Sequence, residues 1–202
     1  MVFRAFRAAV AAVLVSVLAA APAYAQHFSD SYEFLEAVRK ADGTKVMKIL
    51  TDTNGSIINT KSRETGEGAL HIVAKNGDPT YMRFLIQKGA NPNMQDAQGN
   101  SPMMISVNSG FDEGVEILIT YHANVNLPNN SGETPLIRAV QLRKRDLVVA
   151  LLAAGADPDR ADVIAGHSAR DYARMDGRSP AIAKLLADAP KVNRNSVAGP
   201  HL

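Results

Sequence analysis

His71 and Lys75 stand four residues apart in the stretch G-E-G-A-L-H-I-V-A-K-N-G, residues 66–77. On a helix that spacing puts an imidazole and an ammonium on one face, where they could move or hold a proton. Downstream, H-S-A-R-D at 167–171 contains His167, Ser168 and Asp171, the three side-chain types of nucleophilic hydrolysis. Asp157, Asp159 and Asp162 set out three carboxylates of the kind a hard cation takes as ligands. Arg143, Lys144 and Arg145 place three consecutive cations beside the apolar Leu142, chemistry suited to an acidic surface. Each set depends on the elements that would hold its members together, so the pattern of the whole chain decides among them.

That pattern is a repeat. Gly66 to Leu70, Gly99 to Met103 and Gly132 to Leu136 follow one another at steps of 33, and Gly166 to Arg170 comes one step of 34 later. G-A-N-P-N (89–93), H-A-N-V-N (122–126) and G-A-D-P-D (155–159) are again 33 apart. The triplets Met82/Leu85/Ile86, Val115/Leu118/Ile119, Val148/Leu151/Leu152 and Ile182/Leu185/Leu186 advance at 33, 33 and 34. Spacings of three and four within each triplet align its members on one helical face. Three landmarks in phase identify a repeat architecture, in which each unit buries its apolar side against its neighbours.

Each unit reads as two helices and a turn. Ser101-Pro102 and Thr134-Pro135 offer an N-cap oxygen and then a proline, whose missing N–H costs nothing in the first turn. Breaks follow at Gly77, Gly110 and Gly177; Arg143 occupies the matching place in the fourth unit, which predicts a locally different loop. The second helix opens at Asp78-Pro79 or Ser179-Pro180, or with Asp112, Glu113 and Asp146 near its positive end. It closes at Gly89, His122 and Gly155, where a left-handed residue is expected; His122 is the strained member.

Period 33 with T-P-L at 134–136, A-L-H at 69–71 and G-A-D-P-D at 155–159 resembles the ankyrin repeat. The resemblance covers about residues 31–189 and implies an all-α solenoid of helix-turn-helix units with projecting hairpin loops. About five repeats are expected, including degenerate caps, at 31–62, 63–95, 96–128, 129–161 and 162–189. In the opening unit Phe34, Leu35, Val38, Val46, Ile49 and Leu50 should face inward; in the closing one Arg170 replaces a leucine, as for a side that meets water. The family histidine survives only at His71, with Met104, Ile137 and Asp171 in the matching positions, so most histidine ties between hairpins should be missing.

The repeat absorbs most of the candidate chemistry. His71 becomes scaffolding and Ser168 a helix cap. The aspartate trio lacks a calcium loop's twelve-residue spacing and closing glutamate. His27, His122, His167 and His201 are scattered, and with no cysteine a metal centre is not expected; no cofactor is expected either. What remains is surface. By the resemblance a concave face is made by hairpin residues Glu64, Thr65 and Glu67, Ala97, Gln98 and Asn100, and Asn130, Ser131 and Glu133. Helix positions Lys75 and Asn76, Asn108 and Ser109, and Gln141 and Leu142 extend it. The strip is polar and almost free of aromatic anchors, with Arg143, Lys144 and Arg145 as its one departure. The expected function is a non-catalytic module that binds a protein partner; the alternatives are a secreted effector meeting a host protein, or an enzyme or metal carrier on the same scaffold.

The first 25 residues read separately. Arg4 and Arg7, an apolar run from Ala8 to Ala21 and Ala23-Tyr24-Ala25 have the three-part form of a secretory signal, with an uncleaved anchor as the alternative. Cleavage after Ala25 leaves a short lead at 26–30, the repeats, and a tail at 190–202 expected to be disordered. Losing Arg4 and Arg7 leaves 20 cations against 20 carboxylates, so the basic pI gives no support for nucleic-acid binding. A periplasmic monomer without stable membrane insertion is expected, held together by packing alone because there are no cysteines.

Overall fold

A computed structural model describes residues 30–191; the signal segment, its cleavage point and the tail beyond Lys191 lie outside the described residues. Helix α1 covers residues 30–39. It is followed by α2 (Gly43–Asp52), α3 (Ala69–Asn76), α4 (Pro79–Gln87), α5 (Pro102–Ser109), α6 (Asp112–Thr120), α7 (Pro135–Gln141), α8 (Arg145–Ala153), α9 (Ala169–Asp176) and α10 (Pro180–Asp188). The odd helices from α3 to α9 stack into an inner row and α4 to α10 into an outer row, each inner helix packing on its own outer partner. This is the all-α solenoid that the family resemblance implied.

The two rows are built differently because they are buried differently. Inner α5 lies between α3 and α7 and against α6, so Met103, Met104, Ile105, Ser106 and Val107 are all buried. A helix wrapped on most sides must be short and apolar almost all round. The outer helices bury one stripe: Met82 and Leu85, Val115 and Leu118, and Val148 and Leu151 are buried, while Ile86, Ile119 and Leu152 pack at the margin. In the opening unit Phe34, Leu35, Val38, Val46 and Leu50 are buried and Ile49 lies at the edge of the core.

Caps fix where several of the helices start and stop. Asp78 accepts a hydrogen bond from Tyr81 N–H (2.8 Å), Ser101 from Met104 (3.2 Å), Thr134 from Ile137 (3.3 Å) and Ser168 from Asp171 (3.3 Å). Each such bond satisfies one of the orphan donors of a helix start and contributes about 1 kcal/mol. Left-handed residues stand at Gly89 (φ 94°), His122 (φ 58°) and Gly155 (φ 87°), so the imidazole position carries the strain expected of it.

Two expectations fail here. The loop at Arg143 is not different: Arg143 takes φ 56°, beside φ 70°, 71° and 61° at Gly77, Gly110 and Gly177. Its hydrogen bonds match those at Gly110, with Arg143 N–H to Val140 and Lys144 N–H to Ala139 repeating Gly110 to Val107 and Phe111 to Ser106. The stack dictates the turn, and arginine accepts the left-handed cost. Nor does Arg170 face water. Its guanidinium reaches Asp159 (2.6 Å) and the carbonyls of Ala189 (2.7 Å) and Pro190 (3.1 Å), and its side chain is only 18% exposed. A cation at the end of α10 satisfies carbonyls that no following turn would take.

Candidate interaction face

The hairpins between units are held by their own side chains. Asp96 accepts from the N–H groups of Gln98 and Asn100, Asn129 from those of Ser131 and Glu133, and Asp162 from those of Ile164, Ala165 and Gly166. These short side chains fold the backbone back on itself, which is why they recur at each hairpin start. Asp162, one of the three aspartates with possible calcium chemistry, is thus a turn residue. Burial works against its charge, but Tyr172 O–H (2.5 Å) and those three N–H groups hold its carboxyl below the usual range.

Successive hairpins then join edge to edge. Ala97 N–H donates to Thr65 C=O (3.0 Å), Asn130 to Gln98 (3.0 Å) and Val163 to Ser131 (2.9 Å). The approach leaves no room for a side chain: a Cβ on Gly99 would lie 2.3 Å from Asn130 Oδ1 and 2.6 Å from its N. Gly66 and Gly132 are equally close to Ala97 and Val163. At these three positions glycine is required twice over, by contact and by a positive φ.

His71 belongs to this framework. Gly68 N–H donates to its Nδ1 (3.1 Å), and its Nε2 lies 2.9 Å from Asn100 C=O, so the neutral ring carries its proton on Nε2. Burial lowers its pKa, with the Asn100 carbonyl, Asp96 and Glu67 opposing. Met104 and Ile137, in the matching positions, are fully buried core residues. The missing histidine ties are replaced elsewhere by amides. Asn59 accepts from Asn91 N–H, Asn93 from Asn124 and Asn126 from Asp157, each at 2.7 Å, one unit to the next. The sequence reading missed this ladder, although Asn93, Asn126 and Asp159 recur at 33 and glycine caps alone do not require them.

The remaining candidate chemistry resolves into structure. Ser168 and Asp171 do meet, but as a reciprocal cap: Ser168 N–H and Oγ–H donate to Asp171 at 3.0 and 2.7 Å. The His167 ring instead lies against Tyr172, centroids 5.5 Å apart, and its Nδ1 is buried without a hydrogen-bond partner. Asp159 pairs with Arg170, and among the described residues no three His, Cys, Asp or Glu side chains form a metal-binding group.

Of the face residues, Glu64, Thr65, Lys75, Asn76, Gln98, Asn108, Ser109, Asn130, Ser131, Leu142, Arg143, Lys144 and Arg145 are exposed, and Asn100, Glu133 and Gln141 are half-buried. Glu67 is a correction. It is 7% exposed, bonded to Lys75 and Thr65, so this pair braces the face rather than offering a free carboxylate. Desolvation opposes its charge, yet Lys75 holds its carboxyl below the ordinary value. Others are also engaged: Asn130 Nδ2 donates to Ala97 C=O (3.1 Å) and Ser109 Oγ to Ala74 C=O (3.0 Å). The cationic run is partly neutralised as well, since Arg143 grips Asp176 through Nε and Nη2 at about the same 3.1 Å and Arg145 lies 3.3 Å from Asp146. Asp176 is held down to about 2, first by Arg143 and then by Arg178.

The family model for ankyrin repeats in three copies matches residues 34–129 and 70–162, and the chain belongs to that family. It is 38% identical over 94 residues to the human neurogenic locus notch homolog protein 4, covering 46% of this chain and 5% of that one. Over 141 residues it is 30% identical to the Danio rerio neurogenic locus notch homolog protein 1, 68% of this chain and 6% of that one. An ankyrin repeat protein of Rickettsia felis is 36% identical over 87 residues, 39% of this chain and 38% of that relative. The chain therefore spans well under half the length of each of these relatives.

Proposed function

We propose that this chain is a non-catalytic protein-binding module, exported to the periplasm, which takes its partner on the face made by the hairpins and inner helices. The observation that carries the reading is that nearly every ionisable or nucleophilic group with possible chemistry is occupied in holding the repeats. What faces solvent is a mostly polar set of hairpin and helix positions from Glu64 to Arg145. Membership in a family of stacked repeats supports recognition by surface complementarity. Among the described residues no helix is long and apolar enough to cross a membrane. No cofactor and no nucleic acid enter the proposal, and a monomer is the working unit.

Cross-linking in intact cells through a photoreactive residue at Gln98, Asn108 or Gln141 tests the module. Capture of a discrete protein partner from these positions, and not from the outer helices, is expected; capture only from the outer row overturns the assignment of the face. Fractionation of a C-terminally tagged chain tests export. A periplasmic product beginning at Gln26 is expected, a full-length cytoplasmic product contradicts it, and recovery from the medium instead marks secretion beyond the cell.

A further inference from the structure

Resting on the reading of a protein-binding face, we propose that its C-terminal half, the hairpin at 161–168 with α7 and α9, takes an acidic segment carrying a large aliphatic side chain. Three independent observations converge there. The first is exposed apolar surface. Val163 is 71% exposed, Ile164 79%, Met175 54% and Leu142 37%, four of the seven large hydrophobic side chains so exposed among the described residues. Earlier units put Lys75, Asn76, Asn108 and Ser109 at the positions of Met175 and Leu142 on the inner helices, and polar Gln98 and Ser131 on the hairpins. The fold does not require Ile164 to be apolar, because Asp162 holds this loop through backbone N–H groups. Apolar side chains left in water beside a polar rim mark a place where something docks.

The second is shape. Gln141, Arg143, Tyr172, Met175, Asp176 and Arg178 line a depression of about 280 Å³. Tyr172 O–H donates to Asp162 at 2.5 Å, which ties the lining of the depression to the hairpin that carries Val163 and Ile164. One hydrogen-bonded unit therefore presents both the hollow and the aliphatic tip.

The third is charge. Arg138 is held by amide oxygens of Asn108 (2.5 Å) and Gln141 (3.1 Å), with no carboxylate among these partners. Arg143 and Arg178 share the single carboxylate of Asp176, and Arg174, 79% exposed, pairs with Asp171. Three of these guanidinium groups thus meet two carboxylates and Arg138 meets none, the Asp162 and Glu133 carboxylates being bonded to Tyr172 and Asn129, while Arg145 and Asp146 balance one another at the start of α8. Carboxylates on a partner would complete the set, and planar guanidiniums suit them. Nucleic acid fits less well: phosphates have no use for the Val163-Ile164 tip.

The test uses the full exported chain, isotope-labelled for NMR, and a matched set of synthetic helical peptides. One peptide carries leucines at i and i+4 among glutamates, a second the same leucines among lysines, and a third serines among glutamates; a DNA oligonucleotide is the fourth probe. Only the leucine–glutamate peptide is expected to bind, shifting signals of α7, α9 and residues 161–168. Affinity should fall about five-fold for Ile164→Ser and for Arg178→Gln, and again with added salt. Equal binding by the lysine peptide or the oligonucleotide, shifts confined to the hairpins near Glu64 and Gln98, or no binding at all would overturn the proposal. Unaltered melting of Ile164→Ser guards against misfolding as the cause. In cells, wild-type cross-linking yield with Ile164→Ser, Arg178→Gln sinks this proposal and spares the module; no cross-link from any position on the face sinks the module itself.

Discussion

The middle hairpins and the last one share a backbone path and spend their side chains differently. At 96–100 and 129–133 the polar groups bond within the stack: Asn130 reaches back to Ala97 and Gln98, Asn129 to Glu133, and Asn100 to His71. At 161–168 the same backbone is held by Asp162 and Tyr172, and Val163 and Ile164 stand in water. Polar composition on a repeat surface is therefore a poor guide to partner binding, since many of those groups already bind the next repeat. The residues free to serve a partner are the ones the stack does not need.

The strongest test of that contrast sets Gly99→Ala against Ile164→Ser. The first forces a Cβ into Asn130 at a positive φ and should cost about 3–4 kcal/mol by denaturant melting. The second should stay within about 0.5 kcal/mol, as an exposed substitution does. Equal losses would erase the distinction between a spent hairpin and a free one.

His71→Ala comes next, at about 2–3 kcal/mol, because the buried Gly68 N–H loses its acceptor and Asn100 one donor. The same ring makes stability depend on pH. Its folded pKa lies below the ordinary 6.5, so the unfolded chain binds the proton first. Its contribution is complete above about 6.5 and is lost as pH falls through the folded value. Wild type should therefore lose more stability than His71→Gln between pH 7 and 5, and parallel curves would refute the assignment.

Asn126→Ala should cost about 1–2 kcal/mol, since it removes the acceptor for Asp157 N–H and the donor to Gly155 C=O. A loss near zero would mean that the amide ladder contributes no more than water would. The smallest effect runs the other way: His122→Gly should stabilise by about 0.5 kcal/mol by relieving a left-handed residue at φ 58°.

Much of the architecture was legible because burial repeats. Leu70, Met103 and Leu136 are buried inner-helix residues, and Val115, Leu118, Val148 and Leu151 are buried outer-helix ones, each at the recurring position. His71 could be read as scaffolding for the same reason. The face was legible only as a strip of positions. Glu67 belongs to Lys75 and Arg143 to Asp176, and the exposure of Val163 and Ile164 is not legible in a hairpin that opens a capping repeat.

The period, the helix boundaries and the strained caps follow from the order of residues, since backbone preference and a recurring apolar face act within one unit. Which polar groups bond across units was decided by the stacked structure: Asn126 with Asp157, Arg143 with Asp176 and Arg170 with the end of α10. Those partners lie 19 to 33 residues apart or in the next repeat, and only the packing of one unit on another brings their atoms within bonding distance.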